Sequence, residues 1–276
     1  MKTHGPFPLR LGCSFLLILP LVIWGTGCGT MKGGHRWGED ALHPVQWKRI
    51  PQAAKRALFD PVTWITGAGA IVFTIDHFDR KTSDWAANHT PVFGSPGAAR
   101  DASDVLIYTL SAETLATGLA TPSGDDPAEW VLDKAKGLLV EGGALGAVVG
   151  LTELGKTATD RLRPDGSDRS SFPSGHSSAA FGTARLSNRN LDALDLSPWV
   201  RTPLKAGNLI AASATAWARV EGQKHYPSDV LAGACLGNFV TSVIHDAFLN
   251  LPEDSKFSFY VEPSPHGLFA SLSWDF

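Results

Sequence analysis

Ser171-Phe172-Pro173-Ser174-Gly175-His176-Ser177-Ser178 reads as the start of a helix that presents a histidine. Ser174 is a natural N-cap with Pro173 just before it, and Ala179, Ala180 and Phe181 open an apolar face behind it. The unpaired N–H groups of a first helical turn make a site for an anion. His176 stands at the rim of that turn, where an imidazole can pass a proton to a bound oxyanion. A capped helix with a solvated histidine would satisfy the same letters, so the stretch takes its meaning from what flanks it.

Upstream lies Lys156-Thr157-Ala158-Thr159-Asp160-Arg161-Leu162-Arg163-Pro164. Lys156 and Arg163 are two helical turns apart, which predicts a shared face, while Arg161 falls off that face and reads as solvated. Downstream, Ala218 and Arg219 precede His225, and Pro227-Ser228-Asp229 begins another helix. A carboxylate in a first turn, as Asp229 is, is favoured by the helix dipole alone. Singly, each stretch reads as an ordinary helix end. Together they suit phosphoryl transfer: guanidinium forks, an ammonium and helix-end N–H groups can neutralise phosphoryl oxygens. A neutral imidazole such as His225 can attack phosphorus, and Asp229 would hold its other nitrogen. His176 would protonate the departing oxygen and then activate water. This set requires no metal or other cofactor.

Lys-x6-Arg-Pro, Pro-Ser-Gly-His and Arg-x5-His-x3-Asp, in this order, resemble the signature of the type 2 phosphatidic acid phosphatase family. That family shares a helical fold with bacterial class A acid phosphatases and vanadium haloperoxidases. The resemblance is close from Lys156 to Gly233 and extends by helix pattern from Pro61 to Phe248. It implies phosphate binding by Lys156, Arg163, Ser174, Gly175 and Arg219, acid duty for His176, a nucleophile at His225 and its orientation by Asp229. Ala218 departs from it, since Ser usually precedes the Arg of the third motif. The implied activity is a metal-independent phosphatase; a membrane anchor makes phosphatidic acid, polyprenyl diphosphates or the phosphate of lipid A attractive substrates, with small soluble phosphate esters as the alternative. Two other readings use the same pocket: a vanadate-dependent haloperoxidase, against which the short interval from His176 to Arg219 counts, and a non-catalytic anion-binding lipoprotein, against which the intact histidines count.

The chain has 276 residues, 43% of them hydrophobic, room for one large domain or two small ones. A formal net charge of -3 gives no basic surface for nucleic acid. Residues 1–27 read as a lipoprotein-type signal: Lys2 and Arg10, an apolar run from Leu11 to Trp24, then Gly25-Thr26-Gly27-Cys28. Cys28 would become the lipidated first residue and tie the chain to a bacterial membrane on its periplasmic side, with Gly29 leaning toward the outer membrane. Gly25 stands where that pattern prefers Leu. Cys235 is then the one cysteine of the mature domain, so an intradomain disulfide is ruled out.

Residues 28–55 read as a tether, with Trp37 and Trp47 docking on the domain, and 56–250 as the helical domain. Within it the expected helices are Pro61–Phe73, Asp101–Ala120, Pro127–Ala158, the His176 helix, Ala206–Arg219 and Val230–Phe248, about six in an all-α bundle. Asp76-His77-Phe78-Asp79 reads as a solvated helix end, Trp85–Ala99 as a loop, and Leu186–Pro203 as a polar connection. Charges interrupt every apolar helix before 20 residues, so membrane contact is expected from the lipid rather than from a span. In 255–276, Phe257, Phe259 and Val261 alternate, as do Leu268, Ala270, Leu272 and Trp274, which predicts a hairpin turning over Glu262–Gly267.

Overall fold

A computed structural model of the chain describes residues 27–249, 257–264 and 267–274. The proposed signal, apart from Gly27, lies outside them. Among the described residues are eight α-helices: α1 (Ile50–Phe59), α2 (Pro61–Phe73), α3 (Phe78–His89), α4 (Pro96–Ala120), α5 (Pro127–Thr159), α6 (Gly175–Ala193), α7 (Pro198–Glu221) and α8 (Pro227–Phe248). An antiparallel hairpin follows, β1 (Phe257–Ser264) paired with β2 (Gly267–Trp274). Pairing continues through Ser264 with Gly267, so the turn is tighter than expected. The all-α bundle with a C-terminal hairpin is the architecture the residue pattern implied, with two more helices than counted.

One local device recurs. Asp60-Pro61, Ser95-Pro96, Asp126-Pro127 and Ser197-Pro198 each place a capping side chain before a proline in the first turn. The cap oxygen accepts from the backbone N–H two or three residues on, and proline fills a position whose N–H has no helical partner. Two of these pairs correct the expectation. Ser95-Pro96 starts α4 inside the stretch read as a loop, most of whose first part is the end of α3. Ser197-Pro198 starts α7 inside the stretch read as a polar connection, while α6 runs on to Ala193. The polar residues there are buried: Ser187, Arg189 and Asn190 pack inward, and Arg189 donates to Asp246 at 2.6 Å.

The lead-in is largely built into the fold. Trp37 is fully buried with Val140 and Leu249, although Trp47 stays exposed with its ring edge-on to Phe248. At the centre, α6 lies against α8 so closely that their backbones touch. A Cβ on Gly237 would fall 2.1 Å from the Ser178 carbonyl oxygen, and one on Gly233 would fall 2.6 Å from that of Ser174. Only glycine permits that approach. This seam aligns the start of α6 with the start of α8.

By length and composition alone, α5 and α8 are long and apolar enough to cross a membrane, where the charge count had allowed none. The difference lies in where the charges go. Glu141 turns into the bundle against Asn190, and Lys136 and Glu153 sit toward the two ends of α5. What α5 exposes between those ends is Leu139, Val149, Leu151 and several glycines.

Candidate active site

The four helix ends that matter meet at one end of the bundle. They are the C-termini of α5 and α7 and the N-termini of α6 and α8. Ser174 caps α6 by accepting the Ser177 N–H, and its own N–H donates to the Asp229 carbonyl at 3.0 Å. Lys156, in the last turn of α5, pairs with Glu153 at 2.6 Å and reaches the start of α6. A Cβ on Gly175 would sit 3.4 Å from its Nζ, so the missing side chain leaves that ammonium space at the helix start.

Arg163 does not share a helical face with Lys156. The helix stops at Thr159 because Asp160 adopts a left-handed conformation, φ 45°. In the turn that follows, Arg163 is near enough to Arg219 and His225 to lower the pKa of both. Arg163 is held by Asp168 at 2.8 Å and by Ser170 at 3.0 Å. Arg219, buried in the last turn of α7, donates to Ser103 at 3.0 Å, and its Nε has no protein partner. Burial pulls its guanidinium down to about 10, helped by Arg163 and Arg100 and opposed by Asp104. A buried cation in this condition gains from an added anion.

His225 is buried beside these groups. Its Nδ1 lies 2.6 Å from the Ser171 carbonyl oxygen, so Nδ1 carries the hydrogen and Nε2 keeps the lone pair. Burial first, then Arg219, holds its pKa well below the ordinary histidine range; Arg163 and His176 act in the same sense. The ring is therefore neutral at pH 7. His176 is half-buried in the first turn of α6, with Nε2 2.8 Å from Asp104 Oδ1. Burial, Arg219 and Lys156 lower its pKa while Asp104 raises it.

Asp229 departs from expectation. Its Oδ2 is 3.9 Å from His225 Nδ1, beyond hydrogen-bond reach. The nitrogen it was expected to hold is taken by the Ser171 carbonyl. Asp229 instead accepts from the Ser171 hydroxyl at 2.5 Å, the Tyr226 N–H at 2.8 Å and Arg161 at 2.6 Å. Burial pushes its carboxyl up to about 6 against the pull of Arg161, with Asp79 adding to the rise.

Sequence reasoning missed several members of this end. Arg161, read as solvated, donates to Asp229, to Ser228 at 2.8 Å and to Asp79 at 2.8 Å. Asp79, read as part of a solvated helix end, is buried and accepts from the Ser228 N–H at 2.7 Å. Glu221, fully buried, accepts from Val92 N–H at 2.9 Å, Phe93 N–H at 3.0 Å and Trp217 Nε1 at 2.7 Å. It thereby pins the segment between α3 and α4 beside Arg219. For Arg161, charge density was the available signal: Asp160-Arg161-Leu162-Arg163 sits immediately after an apolar helix.

Comparison with known proteins gives three resemblances. Residues 137–253 match the PAP2 superfamily. Over 109 residues, 39% of this chain, the sequence is 38% identical to the lipid A 1-phosphatase of Porphyromonas gingivalis, of which it spans 23%. Among solved structures, a transmembrane PAP2-type phosphatidylglycerolphosphate phosphatase from Bacillus subtilis resembles it with a TM-score of 0.49 and 19% identity, over 66% of this chain and 92% of the other. The segment that resembles the PAP2 superfamily runs from within α5 past the end of α8 and encloses all three motifs.

Proposed function

We propose that the chain is a phosphatase that hydrolyses monoesters or diphosphates of lipids through a phosphohistidine on His225. The observation that carries this reading is the tautomer: Nδ1–H is tied to Ser171, which leaves the Nε2 lone pair on a neutral ring near Arg219, Arg163 and His176, with Lys156 in turn near His176. Non-bridging oxygens would be held by Lys156, Arg163 and Arg219 and by the N–H groups at the start of α6, where Ser174 and Gly175 lie. Nε2 attacks phosphorus as the ester P–O bond breaks, and His176 gives its proton to the departing oxygen. His176 then takes a proton from water, whose oxygen attacks phosphorus as the N–P bond breaks, releasing inorganic phosphate and neutral His225.

A lipid substrate is supported by the Porphyromonas gingivalis relative and by the outer surface of the bundle. Trp64, Ile65, Ile71 and Val72 on α2 and Leu139, Val149, Leu151 and Leu154 on α5 are exposed, more apolar surface than a chain kept in water ordinarily shows. Membrane association follows from that surface. The proposed lipid on Cys28 would grip elsewhere: Gly27 bonds Trp130 near the start of α5, and Lys156 lies 26 residues further along that helix. At about 1.5 Å per residue the separation is about 39 Å. A lipid there would hold the periplasmic domain by the end opposite the pocket, so the apolar flank rather than the anchor brings substrate to the site.

The test is phosphate release from lipid phosphates in vesicles and from soluble monoesters, with chelator present, by native protein and His225→Ala. Activity that survives chelation and disappears in the variant supports the reading, and preference for the lipid supports the substrate class. Undiminished release by His225→Ala refutes the phosphohistidine.

A further inference from the structure

We propose that Arg161 is a positioning residue that holds Ser171 from two sides and thereby fixes the tautomer and direction of His225. The proposal rests on the reading of His225 as nucleophile. The Arg161 main-chain oxygen accepts the Ser171 N–H at 3.0 Å. Its side chain donates to Asp229 Oδ1 at 2.6 Å, and the other oxygen of Asp229 accepts the Ser171 hydroxyl at 2.5 Å. The Ser171 carbonyl, so placed, takes the His225 Nδ1–H. Backbone and side chain of one residue therefore close a ring of hydrogen bonds around the serine that orients the histidine.

The guanidinium is itself fixed. One nitrogen serves Asp229 and the Ser228 hydroxyl, the second serves Asp79 at 2.8 Å, and the plane lies 4.4 Å from the centre of the Tyr226 ring. Asp79 also accepts from the Ser228 N–H and hydroxyl, which ties α3 to the first turn of α8. Three anionic or hydroxyl partners in fork geometry suit arginine and not lysine. Facing Asp229 are thus one cation, Arg161, one further carboxylate, Asp79, and the neutral His225 ring at 3.9 Å. Without Arg161 the buried carboxylate would have no cationic partner and would take up a proton more readily. The outer edge of Arg161 opens to a cavity of about 390 Å³ bounded also by Phe73, Arg80, Leu162 and Tyr226, so a small guanidinium ion can reach the place of the side chain.

The test uses the full-length protein with Arg161→Ala, Arg161→Lys and Ser171→Ala. It measures kcat, KM and their pH dependence on a soluble phosphate monoester, with and without added guanidinium chloride. It also records the ¹⁵N imidazole signals of His225, assigned by their loss in His225→Gln. Arg161→Ala is expected to lower kcat about tenfold or more with KM changed less than about threefold, to move the acid limb to higher pH, and to recover in part with guanidinium. The His225 signal should lose its Nδ1–H preference, and Arg161→Lys should restore neither rate nor signal. Unchanged kcat, a loss confined to KM, or an unchanged Nδ1–H signal in Arg161→Ala would overturn the proposal. If Arg161→Ala does not fold, Ser171→Ala and Arg161→Lys give the same readouts. If the native protein releases no phosphate, the phosphatase reading fails while the imidazole signals still decide this one.

Discussion

Gly237→Ala tests whether the α6–α8 seam sets the site. The added Cβ would lie 2.1 Å from the Ser178 carbonyl oxygen, 2.9 Å from its carbon and 3.0 Å from the Gly182 nitrogen. Cβ atoms do not approach other heavy atoms within 3.0 Å, so the two helices must part by at least 0.9 Å. No flexible side chain can yield, because all three atoms are backbone. The cost should reach the upper part of the usual overpacking range, about 3 kcal/mol. At about 2–4 °C per kcal/mol for a domain of this size, the thermal midpoint should fall by about 6–12 °C. Because α6 carries His176 and α8 carries Asp229, the same displacement should reach the pocket, where misplacement by about 1 Å can cost about 100-fold in rate. Thermal unfolding and kcat would be measured beside Gly146→Ala, whose Cβ meets nothing within 4 Å. Relief of the glycine cost at that exposed position should stabilise by about 0.5–1 kcal/mol. Native stability and rate in Gly237→Ala would refute the reasoning.

Other predictions follow from the polar contacts. Asp229, with its carboxyl pushed up to about 6, is protonated below that pH and then cannot accept from both Ser171 and Tyr226. Activity should fall as pH drops through about 6, and Asp229→Asn should remove that limb at a lower rate; a limb unchanged in the variant would assign it elsewhere. The same raised value disfavours the folded state progressively as pH rises from 4 to 6, a trend that Asp229→Asn should lose in denaturant titrations. Asp104→Asn removes the group that raises the His176 pKa, so the basic limb of the rate profile should move to lower pH. Glu221→Gln turns an amide toward donors and should destabilise by about 1–3 kcal/mol, with faster hydrogen exchange at Val92 and Phe93.

Much of the fold was legible because its signals are local. The helix starts at Pro61 and Pro127 and the apolar periodicity of α5 and α8 involve neighbours in the chain. The misread polar residues share one reason. Ser187, Asn190, Asp79 and Arg161 are polar, and polarity was taken for exposure, whereas each is placed inward by partners far away in sequence. Lys156 and Arg163 do not share the helical face their spacing suggested, since a left-handed Asp160 replaces the expected second helical turn.

The sequence by itself determined the helical class and the helix starts at Pro61 and Pro127, and it supplied the phosphate-directed motifs on which the proposed site is built, because first-turn prolines, periodicity and motif spacing are properties of short segments. Tertiary structure alone decided that Ser171 rather than Asp229 holds His225 Nδ1, that Arg161 donates to Asp229 and that Gly27 and Cys28 lie at the opposite end of the bundle. Those facts depend on the close seam between α6 and α8 and on the path of the turn after α5. Hydrogen-bond partners change over tenths of an ångström, a scale that spacing along a chain does not carry.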